Sequence, residues 1–167
     1  IEDDFITDEV LRTKGISWTV GFVPNDVPTK SDLVIATGAH GGMDNPQVMA
    51  AKEKGIPVWM QGEAVGKFME GHFGISVIGS HGKTTTAGML ATLLAKAGLD
   101  PSYIVGSGSV RPLGPAGHCG KGNYFIAEGV EYANQPTYDK TSKFLYQLPI
   151  IIIVTNIDFD HPDLFAD

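Results

Sequence analysis

Lys83 stands in a short run that is chemically unusual: Gly79-Ser80-His81-Gly82-Lys83-Thr84-Thr85-Thr86. Each residue type suits an anion. Glycine lets backbone N–H groups approach a phosphate closely. A lysine directly after the second glycine reaches β- and γ-phosphate oxygens, and the threonine after it offers a hydroxyl to Mg²⁺. The pattern is G-x-x-G-K-T. The longer phosphate-loop form has a further glycine where this chain has Val77. Context supports a phosphate site all the same. An apolar stretch, Phe73 to Gly79, reads as a buried strand running into the loop, and Thr84 to Ala97 reads as a helix leaving it. That order gathers unpaired N–H groups and the positive end of a helix dipole at the loop.

A phosphate loop needs acidic partners for a metal and groups that hold a second substrate in line. Two segments supply candidates. Tyr124 to Gly129 reads as a strand that delivers Glu128 at its C-terminal end. Pro149 to Asn156 reads as a buried strand followed by Asn156, Asp158, Asp160, His161 and Asp163. Open α/β sheets place ligands at strand C-termini.

The rest of the chain alternates strand and helix. Thr7 to Gly15 reads as a helix with Thr7 as N-cap, Ile16 to Phe22 as a strand, and Ser31 to Thr37 as a buried strand. A helix follows from Asn45-Pro46 to about Lys54, closed by Gly55; then come a strand at 56–60 and a helix at 63–71. The pattern restarts near Gly71-His72. Leu90, Leu93, Leu94 and Ala97 fall on one face of the helix after the phosphate loop. Ser102 to Val105 reads as a strand, and Gly106 to Asn123, rich in Gly and Pro, as a mobile loop or hairpin. Such alternation implies a parallel, doubly wound sheet.

Composition narrows the classes. With 167 residues, 43% apolar and 19% charged, the chain is ordinary globular protein. A net charge of −7 leaves no general basic footprint for nucleic acid. The apolar run at 149–154 is far too short to span a bilayer. The single cysteine, Cys119, excludes an internal disulfide framework and points to a reducing, cytoplasmic setting. The start at Ile1 and the stop just after a motif read as the ends of a fragment.

Together, G-S-H-G-K-T-T-T, A-E-x-x-E-Y and T-N-I-D-F-D-H-P-D resemble the Mur ligases, ATP-dependent amide-bond ligases of peptidoglycan synthesis. The shortened loop with Val77 is that family's form. The resemblance implies an α/β chain: a partial Rossmann-like UDP-sugar-binding domain over 1–71, then part of a P-loop central ATPase domain with a mainly parallel sheet over 72–167. The opening strand of the first domain and the whole C-terminal domain would be absent.

The resemblance also implies roles. Gly79, Ser80, His81, Gly82, Lys83, Thr84, Thr85 and Asn156 would bind ATP. Thr84, Glu128 and His161 would hold Mg²⁺, and Lys83, Glu128 and His161 would be catalytic. His40 to Asn45 would meet the UDP-sugar. The partners implied are UDP-N-acetylmuramate and an amine, either a peptide or an amino acid. Glu131-Tyr132 and Asp139-Lys140-Thr141-Ser142-Lys143-Phe144 resemble the branch that adds the tripeptide L-Ala-γ-D-Glu-meso-diaminopimelate. The alanine-adding branch is the alternative; His81 is the residue that matches it. The family's E-A-D-E-x-D reads E-G-V-E-Y-A here, with Val130 and Ala133 in place of aspartates, and Pro136 lengthens the following loop. Those changes leave open a non-catalytic nucleotide-binding module. A GTPase is disfavoured, because Thr155-Asn156-Ile157-Asp158 is not N-K-x-D. A folylpolyglutamate synthetase is disfavoured by the Asp139 to Phe144 stretch.

Overall fold

The computed structural model describes residues 6–158. It divides into two compact units after Met60, and each is described by itself.

In the first unit, α1 (Ile6–Thr13) carries Asp8 and Glu9 in its first turn and Arg12 in its last, matching the helix dipole. Thr7, expected as the cap, lies inside the helix. The expected strand at 16–22 does not form; this segment is irregular, with Ile16 50% and Val20 60% exposed. Alternating apolar residues suit a pleated surface, but among the described residues no strand pairs with them, and a lone strand leaves its backbone groups to water.

The structured part of this unit is one βαβ crossover. Strands β1 (Val34–Ala36) and β2 (Val58–Met60) are parallel, with Val34 opposite Val58. Between them runs α2 (Pro46–Glu53). Its start follows from chemistry: the Asn45 side chain accepts a hydrogen bond from Gln47 N at 2.9 Å, and Pro46 opens the first turn. Gly55, at φ 71°, ends it. Ala50, Ala51, Val48 and Ile56 pack under the two strands. The β1 strand is less buried than its apolar run suggested, since Ile35 faces outward while Ala36 faces the core.

The second unit begins with α3 (Gln61–Met69), earlier than the restart read at Gly71-His72. The helix packs on later residues: Gly62 N donates to Asn134 Oδ1 at 2.9 Å, and Gly66 lies so close to the Tyr146 carbonyl that a side chain there would collide with it. Then follow β3 (Phe73–Ile78), α4 (Lys83–Lys96), β4 (Ser102–Val110), β5 (Gly114–His118), β6 (Tyr124–Glu128), β7 (Ala133–Gln135), β8 (Asp139–Ser142) and β9 (Ile151–Val154).

The main sheet has five strands in the order β5-β4-β6-β3-β9. It is parallel except for β5, which forms an antiparallel hairpin with β4. The Gly/Pro-rich stretch is therefore a hairpin, and β4 runs on to Val110, past the strand expected there. A second small hairpin joins β7 and β8.

The period of two in the strands sorts the core. Ile75 and Val77 on β3 and Ile126 on β6 face α4, meeting Ala87 and Ala91. Phe125 and Ala127 on β6 face the other way, toward Met69 of α3. Two expectations change here. The buried stripe of α4 is Ala87, Leu90, Ala91 and Leu94, while Leu93 is 62% exposed; small alanines let the helix lie close to the sheet, and the stripe sits one step round from the leucine run. Strand β9, expected to be deeply buried, is a sheet edge among the described residues, with Ile152 58% exposed, because only β3 pairs with it.

Ile126 is fully buried at the centre of this core. Replacing it with alanine removes packed methylenes and leaves a cavity, so Ile126→Ala is expected to cost about 2–5 kcal/mol of unfolding free energy, measured as a lower urea midpoint at unchanged slope.

A candidate phosphate and metal site

Strand order builds the site. Strand β3 lies between β6 and β9, so the loop after it meets the C-terminal ends of both. Gly79 takes φ 127° and Gly82 φ 81°, conformations that favour glycine. At Gly79 a Cβ would collide with Thr155 Oγ1, so the loop closes on the β9 exit only without a side chain.

That exit grips the loop. Thr155 Oγ1 donates toward the loop carbonyl of His81 at 2.5 Å. Asn156 Oδ1 accepts from His81 N at 2.8 Å, and Asn156 O accepts from Ser80 N at 3.3 Å. Ser80 Oγ donates to Asp158 O at 2.8 Å and lies 2.9 Å from Asp158 N. The first intrahelical bond of α4 is Thr86 N to Gly82 O, so the N–H groups of Lys83, Thr84 and Thr85 precede the helical ladder, where an anion would meet them.

Lys83 folds back into this turn. Its Nζ donates to Gly79 O at 2.6 Å and Ser80 O at 3.1 Å, and it pairs with Glu131 Oε1 at 2.6 Å. The pair is well shielded, at 13% and 15% side-chain exposure, and the ammonium is the counter-ion of a Glu131 oxygen that has no well-aligned hydrogen bond.

Glu128 ends β6 beside them. Its Oε1 accepts from Thr84 Oγ1 at 2.8 Å and its Oε2 from Gly106 N at 2.6 Å. Gly106 permits that approach, because a Cβ would sit 2.9 Å from Oε2. Gln147 braces the strand ends, accepting from Ser76 Oγ at 2.5 Å and donating to Glu128 O at 3.1 Å.

Thr84 and Glu128 are adjoining hard-oxygen donors. Mg²⁺ characteristically takes one or two protein oxygens and fills its octahedron with water and phosphate. The pair fits that ion. Among the described residues no three His, Cys, Asp or Glu side chains gather as an all-protein metal cage.

Of the residues singled out in the sequence, Gly79 to Thr85, Glu128 and Asn156 come together at one end of the sheet. Thr85 sits on the α4 side, lining a groove with Val105 and Ser107. His161, Asp160 and Asp163 lie outside the described residues. His40 to Asn45 forms a tight turn in the first unit, with His40 at φ 54° and Asn45 Nδ2 donating to His40 O at 2.9 Å, beside a cavity of about 150 Å³. Sequence reasoning missed Thr155, Gly106 and Gln147. A glutamine inside the apolar Tyr146 to Val154 stretch was the available signal for the last.

Relatives carry names consistent with this geometry. A UDP-N-acetylmuramate–L-alanine ligase of Desulfitobacterium hafniense is 37% identical over all 167 residues, and one of Geotalea uraniireducens is 37% identical over 159 residues. A solved UDP-N-acetylmuramate:L-alanyl-γ-D-glutamyl-meso-diaminopimelate ligase from Neisseria superposes with a TM-score of 0.77 at 31% identity, over 95% of this chain and 52% of that one. This chain is a Mur ligase homologue. No protein-family model matches it. A murein peptide ligase from Psychrobacter arcticus matches with a TM-score of 0.72 at 25% identity, over 91% of this chain and 35% of that one. An alanine ligase from Thermotoga maritima shares the fold, with a TM-score of 0.69 at 24% identity, over 93% of this chain and 34% of that one. The homologue spans about a third of the length of the curated relatives it matches (34% and 32%). Its mixed α/β architecture with a mainly parallel central sheet is that of the Mur ligase structures. No helix among the described residues is long and apolar enough to cross a membrane.

Gly79→Ala is expected to displace the loop from Thr155 and Asn156. ATP affinity in equilibrium titration should fall at least about tenfold, equivalent to ~1.4 kcal/mol, while far-UV circular dichroism is retained.

Proposed function

We propose that the protein is an ATP-dependent ligase that joins the carboxylate of UDP-N-acetylmuramate to an amine. The observation that carries this reading is the convergence of Lys83, Thr84 and Glu128 at the N-terminus of α4, with Thr84 Oγ1 and Glu128 Oε1 2.8 Å apart. Loop N–H groups and Lys83 would receive the β- and γ-phosphates, and Lys83 would exchange the carbonyls of Gly79 and Ser80 for phosphate oxygens. Glu131 would remain near Lys83 and hold the ammonium in the site. Asn156 would keep the loop in its receiving shape. Thr84 and Glu128 would hold Mg²⁺, with His161 as a further candidate. When bound, the metal supplies charge neutralisation between the nucleotide and the carboxylate.

In this reaction a muramate carboxylate oxygen attacks the γ-phosphorus and ADP leaves. The amine then attacks the acyl phosphate carbonyl, loses a proton and expels phosphate. The first unit, with His40 to Asn45, is the candidate UDP-sugar portion, and the setting is the cytoplasm. The amine and the remaining part of the ATP site would come from sequence that the longer relatives possess.

The tripeptide L-Ala-γ-D-Glu-meso-diaminopimelate is the favoured amine. Support comes from the Asp139 to Phe144 stretch and from the Neisseria enzyme, whose name specifies that substrate. L-Alanine is the second reading, supported by the names of the curated relatives. Val130 and Ala133, which replace the family aspartates, bear on substrate positioning more than on the metal, since Glu128 and Glu131 are both in place.

Phosphate release by the full-length protein, given UDP-N-acetylmuramate, Mg-ATP and either amine, tests this. Release with the tripeptide alone is expected; release with alanine alone reassigns the substrate, and release with neither overturns the ligase reading. Lys83→Ala should lower turnover by at least about 10²–10³-fold, the scale for removing one preorganised electrostatic donor, with the thermal unfolding transition retained.

A further inference from the structure

A cavity of about 180 Å³ opens beside Glu128. Its walls include Gln61 and Gly62 at the start of α3, Gly106, Val130 and Lys143. Lys143 has no role in the phosphate site. It follows β8 and is fixed by its backbone, its N–H donating to Tyr132 O at 3.0 Å, while Phe144 N donates to Val130 O at 3.2 Å. Its half-buried ammonium donates to Gln61 Oε1 at 2.7 Å, a neutral acceptor.

Glu128 shares the cavity, yet both its oxygens already accept hydrogen bonds from Thr84 and Gly106. Among the described residues no carboxylate lies within ion-pairing distance of Lys143. A partly desolvated cation without a counter-ion is costly, and burial holds its pKa below the ordinary lysine value. An arriving anion would remove that cost.

The size and chemistry of the space select the anion. About 180 Å³ is too small for a nucleotide, and the nucleotide's phosphates already have the loop before α4. One ammonium beside one carboxamide, whose N–H groups are donors, matches a single carboxylate. We propose that Lys143 is a carboxylate-binding residue that positions the acid group of the acceptor beside Glu128. This rests on the ligase reading, in which that acid is the muramate lactyl carboxylate, and adds a residue that the phosphate loop, the metal donors and the UDP-sugar turn do not include.

The test compares two nucleotide sugars that differ in the lactyl acid. UDP-N-acetylmuramate and UDP-N-acetylglucosamine are titrated into the full-length protein and into its Lys143→Met and Lys143→Arg variants, with Mg-ATP as a control ligand. Lys143→Met should weaken UDP-N-acetylmuramate at least tenfold and leave UDP-N-acetylglucosamine and Mg-ATP within twofold. Lys143→Arg should recover most of the loss. Unchanged UDP-N-acetylmuramate binding in Lys143→Met, or equal loss for both sugars, overturns the proposal. If the wild-type protein binds neither sugar, the ligase reading fails and D-lactate becomes the probe. The ¹³Cε resonance of Lys143 should then titrate at higher pH with lactate present, and an unmoved midpoint overturns the carboxylate site itself.

Folding provides a second check. A lysine whose folded pKa is depressed disfavours the fold below that pKa, and the penalty is relieved as pH rises toward the unfolded value. At neutral pH, Lys143→Met should therefore melt no lower than wild type.

Discussion

The grip of the β9 exit on the phosphate loop is the constraint on which the site depends. A loop with two left-handed glycines is costly to order and has no regular ladder of its own. Thr155 and Asn156 supply the missing partners, taking His81 through both its carbonyl and its N–H and taking Ser80 through its N–H. The grip needs β9 hydrogen-bonded beside β3, so that the two exits lie side by side. Sheet register, and not the loop sequence alone, sets the shape that would meet a phosphate.

Glu128 depends on the same sheet from its other side. Register places Val77 of β3 opposite Glu128 of β6, and Gly129 N donates to Val77 O at 2.8 Å as the chain leaves the strand. The carboxylate is thereby carried to Thr84 at the first turn of α4. Gly106, midway along β4 and just past its pairing with β6, closes the third edge. Three neighbouring strands deliver their exits to one place, and β4 adds Gly106 beside them, the arrangement that open α/β sheets use for ligands. The likeness to Mur ligases agrees with this geometry, and the chemistry resides in these contacts rather than in the fold.

The charges are arranged in two separate pairs of roles. Lys83 has a carboxylate partner, Glu131, inside the site, so its charge is compensated before any phosphate arrives. Among the described residues, Lys143 has the Gln61 carboxamide as its side-chain partner. One cation is thus held at rest by an acid of the chain. The other, on the far side of Glu128, is held by a neutral group, which is why it points to an external acid. Val130 lies on the wall of that same cavity.

The local sequence determined much of this. Gly79 to Thr86 announced a phosphate loop because residue type and spacing suffice for it, and Asn45-Pro46 announced a helix start because a cap is a contact between near neighbours. Glu128 at a strand end was legible for the same reason. Other features needed partners distant in sequence. The segment at 16–22 has the alternation of a strand but no neighbour to pair with among the described residues. The apolar run of β9 reads as buried, yet it lies at an edge, since burial depends on what packs against a strand and not on its own hydropathy. Leu93 and Ala91 exchange places between the exposed and buried faces of α4 because close packing on the sheet favours the smaller side chain. Lys83–Glu131, Glu128–Gly106 and Lys143–Gln61 join positions separated by tens of residues. Residue type and spacing determined what chemistry the local motifs suggest; only tertiary structure decided, among the described residues, that Lys83 meets a carboxylate and Lys143 a neutral carboxamide.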